Sequence, residues 1–112
     1  MSDWLRGNYF FIMEDDHSIR PVGSMEEWCQ WYEKAHCSID WAGNAELYVS
    51  TIFLGLNRNW FGEGPPILFE TMVFGGEYNE LTFRYSTYEQ AVAGHKDVCW
   101  RVFHKDAPRR LE

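Results

Sequence analysis

Residues 67–85 constrain this chain more than any other stretch, because the strings ILFETMVF and LTFRY are joined by GGEYNE. Aromatic and β-branched residues dominate both outer runs, while the link carries two glycines and an asparagine. That pattern reads as an antiparallel hairpin pairing Ile67 to Phe74 with Leu81 to Tyr85. Within the first run Glu70 stands between Phe69 and Thr71, where a carboxylate needs a partner or a raised pKa. A turn near Tyr78 brings Glu70 and Thr71 roughly opposite Arg84 and Tyr85, so the register predicts an ion pair between Glu70 and Arg84.

A two-stranded hairpin needs more strands or helices to be stable. Glu46 to Leu54 carries apolar residues on both alternating faces and reads as the central strand. Tyr9 to Met13 reads as a further buried strand, and Ser18 to Val22 as a short second arm that Pro21 keeps at an edge. Two helices are signalled by capping boxes. Ser24 with Glu27 opens the first, whose stripe is Trp28, Trp31, Tyr32 and Ala35. Ser86 with Glu89 and Thr87 with Gln90 both fit the start of the second, whose stripe is Tyr88, Ala91, Val92, Val98, Cys99, Val102 and Phe103. Its helical character should fade before Pro108. The order predicts an α+β fold: an antiparallel sheet of four to five strands with two helices packed on one face. No repeat or linker interrupts the 112 residues, which read as a single domain spanning 1–112.

Charge bounds the partners. Ten Lys and Arg against seventeen Asp and Glu give −7, a field that repels a polyanion, so no direct nucleic-acid contact is expected. The closest basic grouping, Arg101, His104, Lys105, Arg109 and Arg110, suits a solvated helix end. No apolar run is long enough for a membrane helix. Cys29, Cys37 and Cys99 form an odd set without a CxxC pair, and no leader segment opens the chain, so reduced thiols in a cytoplasm are expected.

Motifs of catalysis are missing: GxSxG, the P-loop, HExxH and the dinucleotide fingerprint do not occur. Glu14-Asp15-Asp16-His17 lacks the alternating ligands and turn glycine of a calcium loop and reads as a solvated turn. No catalytic residue, metal ligand set or cofactor is therefore assigned. His95 and Cys99 are i, i+4 neighbours on the second helix, a spacing that suits a hydrogen-bonded histidine at the core edge better than a metal site. Glu70, Arg84 and His95 together form the candidate buried polar site, which serves chemistry only if all three converge in one pocket. The eleven residues from Leu56 to Pro66 are different in kind. Trp60 and Phe61, flanked by Asn57, Arg58, Asn59 and Glu63, suit a surface that contacts a partner.

The strings VSTIFLGLNRNW, GEGPPILFETMVFGG and RYSTYEQAVAGH, between Val49 and His95, resemble a family of small proteins met in bacteriophage and prophage genomes. Its pattern runs STVFLG, a short loop, PPLLFETMVFGG and RYSTWEEAxxGH. Members often carry Asp-His in the loop where Asn57-Arg58 stand here, which argues against a loop metal or acid–base role. The resemblance implies no assigned activity but does imply a phage origin. From that follows the leading expectation: an accessory protein in the cytoplasm of a bacterial host that binds and inhibits a host protein, anti-CRISPR action against host defence being one concrete form. An acidic face built from Glu14, Asp15, Asp16, Glu26, Glu33, Glu77 and Glu80 would suit such a partner. Two other classes stay open: a small-ligand or metal-dependent enzyme around Glu70, Arg84 and His95, and a structural or homodimerising module favoured by strands apolar on both faces.

Overall fold

The computed structural model describes residues 9–59 and 63–104. The 67–85 hairpin forms with the expected register: β5 (Phe69–Phe74) lies antiparallel to β6 (Thr82–Tyr85), with Phe69 opposite Tyr85 and Glu70 opposite Arg84. On its other side β5 pairs with β4 (Tyr48–Phe53), the expected central strand. The fourth strand is β3 (Ser38–Gly43), which completes the order β3-β4-β5-β6.

This strand corrects the sequence reading, which places Tyr9 to Met13 in the sheet and leaves residues 38–43 unassigned. SIDWAG carries Asp40, Ala42 and Gly43, weak strand formers, and a bulge between Ser38 and Asp40 breaks its alternation. Pairing with β4, not intrinsic propensity, makes it a strand. β1 (Phe11–Met13) and β2 (Ile19–Pro21) instead form their own antiparallel hairpin. That hairpin is tied to the chain beyond β4 by Phe11 N–H donating to Gly55 O at 2.8 Å and Asn57 N–H donating to Tyr9 O at 2.9 Å.

Both helices start where their capping residues place them. Ser24 Oγ accepts from Glu27 N–H at 3.1 Å at the head of α1 (Met25–Tyr32). At the head of α2 (Tyr88–Phe103), Thr87 Oγ1 accepts from Gln90 N–H while Gln90 Oε1 accepts from Thr87 N–H, a reciprocal capping box. No helix of the described residues is long and apolar enough to cross a membrane.

Period-two alternation decides the two faces of the sheet. Val49, Thr51 and Phe53 of β4 and Phe69, Thr71 and Val73 of β5 are all buried. Two apolar clusters cover that face. One joins Phe11, Phe53, Leu68, Phe69 and Ala91, with Trp31 of α1 and Tyr88 of α2 packed against it. The other joins Val49 and Val73 to Val98 and Val102 of α2. Each buried phenylalanine there is worth about 2 kcal/mol of transfer free energy. Both helices thus lie on one face, as expected, and the opposite face of the sheet is left uncovered by either.

Candidate functional site

Between the two apolar clusters the core holds a polar layer. Thr51 and Thr71 face each other across β4 and β5, and both are fully buried. Their Oγ1 atoms lie 2.5 Å apart. Thr51 Oγ1 is 2.7 Å from His95 Nδ1, and Tyr85 OH donates to Thr71 Oγ1 at 3.0 Å. His95, 3% exposed, turns Nε2 toward Cys99 Sγ at 3.4 Å and the Asp40 carboxylate at 3.7 Å. An anion on that side favours the proton on Nε2, so Nδ1 accepts, and the hydroxyl protons run in one direction from Tyr85 through Thr71 and Thr51 to the imidazole. The i, i+4 pair of His95 and Cys99 meets as the helical spacing requires. Their threonine and tyrosine partners come from other strands and carry no signature in the sequence.

A thiol beside an imidazole is a nucleophile's equipment, but this one is set against that use. Burial, reinforced by the Asp40 carboxylate, raises the Cys99 pKa and keeps it a thiol. Burial lowers the pKa of His95, with Asp40 opposing. No buried side-chain nitrogen or oxygen among the described residues lacks a partner. The layer reads as a satisfied structural network that holds β4, β5 and α2 in register. Among the described residues no three His, Cys, Asp or Glu side chains are placed to hold a metal ion.

The candidate trio of Glu70, Arg84 and His95 is divided by the sheet. Glu70 and Arg84 pair as the register predicts, Arg84 Nε donating to Glu70 Oε2 at 3.0 Å. They belong to the uncovered face, however, since Glu70 alternates with Thr71, which bonds the layer around His95. The three side chains share no pocket. The Arg84 side chain is 44% exposed and that of Glu70 12%, so water screens the pair from one side and it is worth about 1 kcal/mol.

The loop gives a mixed result. Asn57, read from sequence as a contact residue, is only 8% exposed. Its Oδ1 accepts from Asn59 N–H at 2.9 Å and Ile67 N–H at 3.0 Å, so it braces the base of the loop and does not present itself to a partner. Asn59 spends its amide on the carbonyls of Glu63 and Pro65, and Arg58 N–H donates to Ile67 O at 2.9 Å. Glu63 is exposed. Trp60 and Phe61 lie outside the described residues. Asn57→Ala is expected to cost about 2 kcal/mol by leaving two backbone donors unpaired, and Asn57→Asp, which retains the acceptor, clearly less. Chemical denaturation of the two variants measures the difference.

The expected single acidic face does not assemble. Glu14, Asp15 and Asp16 sit in the β1–β2 turn near the start of α2, where His17 stacks on Tyr88 at 4.0 Å. Glu77 and Glu80 lie at the far end of β5, in the turn after Phe74. Beside the β1–β2 turn an open cleft of about 430 Å³ has Met13 and Trp31 in its wall with Glu14, Lys34, His17 and His36.

The uncovered face of the sheet, by contrast, carries a connected apolar feature. Trp41 of β3, Tyr48 of β4 and Phe74 of β5 form a stacked row, with ring centroids 5.4 Å and then 4.7 Å apart. Trp41 is 50% exposed. Ser50, Ile52, Met72 and Thr82 continue the face toward the Glu70–Arg84 pair, and all four are partly exposed. Apolar residues on both faces of Glu46 to Leu54 suit a strand covered on both sides or lying at an interface, and the uncovered side is where Tyr48 and Ile52 sit. Comparison with protein-family models, with curated proteins and with solved structures yields no match to this chain.

Proposed function

We propose that this protein is a binding protein, without catalysis of its own, whose contact surface is the open face of the β3–β6 sheet. The observation that carries this reading is the stacked row of Trp41, half exposed, and Tyr48 and Phe74, both partly exposed, on a face that neither helix covers. Rigid aromatic side chains on a preformed sheet lose little entropy on contact and are the usual anchors of protein interfaces. The satisfied layer around His95 argues in the same direction, because its thiol and hydroxyls are committed to one another. The resemblance of residues 49–95 to phage and prophage proteins supplies the partner class: a host protein that the chain binds and inhibits, as anti-defence proteins do.

The test is co-purification from bacterial cells. A tagged protein should carry a host protein in stoichiometric amount, and a Trp41→Ser, Phe74→Ser variant that keeps its circular dichroism spectrum should lose it. Loss only in a Trp60→Ala, Phe61→Ala variant would move the contact to the loop. Absence of any partner would leave the face to self-association and overturn the reading.

A further inference from the structure

Resting on that reading, we infer that the open sheet face takes a cationic, arginine-rich polypeptide segment. The ring row supplies one half of the chemistry. Trp41, Tyr48 and Phe74 run across three strands, and because Tyr48 is stacked between the other two, the ring open to a guanidinium is Trp41, 50% exposed on the edge strand, whose electron-rich face attracts such groups. Arginine stacks there better than lysine, because its charge is planar and weakly hydrated.

The rim supplies the other half. In an antiparallel meander the β3–β4 and β5–β6 turns lie at the same end of the sheet, and they touch here: a Cβ on Gly75 would collide with Glu46 O, and one on Gly76 would meet Leu47. These joined turns bring Glu46, Glu77 and Glu80, all exposed, to the end where Tyr48 pairs with Phe74. Between Lys34 and Arg84 the sequence has one cation, Arg58, and it lies in the β4–β5 loop at the opposite end. Among the described residues the single cation on the face, Arg84, is already paired with Glu70. Strands about 4.8 Å apart with a rise of about 3.4 Å per residue make the face roughly 15 by 20 Å, enough for an extended segment of about six residues. A second copy of this chain would bring its own charge of −7 against the same rim, so charge favours a basic occupant over self-pairing.

The experiment titrates the intact protein with a peptide of about ten arginines, following backbone amide resonances at low salt. Shifts should concentrate in β3, β4, β5 and the two turns, and a lysine peptide of equal length should bind more weakly. Trp41→Ser and the rim triple Glu46→Gln, Glu77→Gln, Glu80→Gln should each weaken binding roughly tenfold. The charge-matched triple Glu26→Gln, Glu33→Gln, Glu89→Gln, two within the helices and Glu33 at the C-cap of α1, should change it by less than about twofold. Equal weakening by both triples would reduce the effect to net charge and overturn the inference. So would a tight dimer, seen by sedimentation, that Trp41→Ser dissolves. A host partner captured through Trp41 by a protein whose face ignores the arginine peptide would overturn the cationic occupant and leave the binding reading standing.

Discussion

Replacing His95 with alanine is expected to cost about 4 kcal/mol, lowering the melting temperature by roughly 15 °C. Two losses combine. The imidazole leaves a cavity between the two apolar clusters, and Thr51, fully buried, loses the acceptor of its hydroxyl proton. The asymmetry of buried hydrogen bonds gives the diagnostic control. Removing one partner strands the others, whereas replacing the set by apolar groups of similar shape does not. The quadruple variant Thr51→Val, Thr71→Val, Tyr85→Phe, His95→Leu, which also removes the hydroxyl that donates to Thr71, should therefore recover much of the stability that His95→Ala loses. A quadruple variant as unstable as the single one would mean that packing, not hydrogen bonding, dominates the layer.

The same residue sets a pH dependence. Burial holds the imidazole below its ordinary pKa of 6.5, against the opposing pull of Asp40. The unfolded chain takes up a proton near pH 6.5 while the folded chain does not, so in that window the unfolded state binds more protons. Stability from this group is thus complete above about pH 6.5 and is lost as pH falls below it, with a slope of at most about 1.4 kcal/mol per pH unit. Melting curves between pH 7.5 and 5 should show a shallower acid decline in the quadruple variant, which lacks the histidine.

Gly75→Ala is the second large effect, expected to cost about 3 kcal/mol or more. Gly75 has φ 94°, outside the reach of an L side chain without strain, and its added Cβ would press on the Glu46 carbonyl of the neighbouring turn. A backbone atom cannot swing aside as a side-chain tip can. Gly76→Ala sets the scale: φ is 71°, within the left-handed region, and the nearest atom is Leu47 Cδ1 at 3.2 Å, so a cost of about 1 kcal/mol is expected. Urea denaturation of the two variants measures the gap. Equal costs would show that the β3–β4 and β5–β6 turns do not bear on each other, and the rim of Glu46, Glu77 and Glu80 would lose its basis.

Local signals wrote much of the fold into the sequence. The 67–85 hairpin, the pairing of Glu70 with Arg84, the Thr87–Gln90 box and the meeting of His95 with Cys99 each follow from residues within about twenty positions, where turn chemistry and periodicity act directly. Tertiary structure decided what depends on partners distant in the chain. Residues 38–43 become a strand only because β4 offers them hydrogen bonds, and Asp40 and Gly43 advertise nothing of the kind. Thr51, Thr71 and His95 are separated by 20 and 24 positions, so their joint burial appears only once α2 lies across β4 and β5. The same packing sent Glu70 and His95 to opposite faces, turned Asn57 inward, and left Trp41, Tyr48 and Phe74 stacked in the open. Alternation along a strand is legible from sequence, but which of two apolar faces stays uncovered is determined by where the helices land.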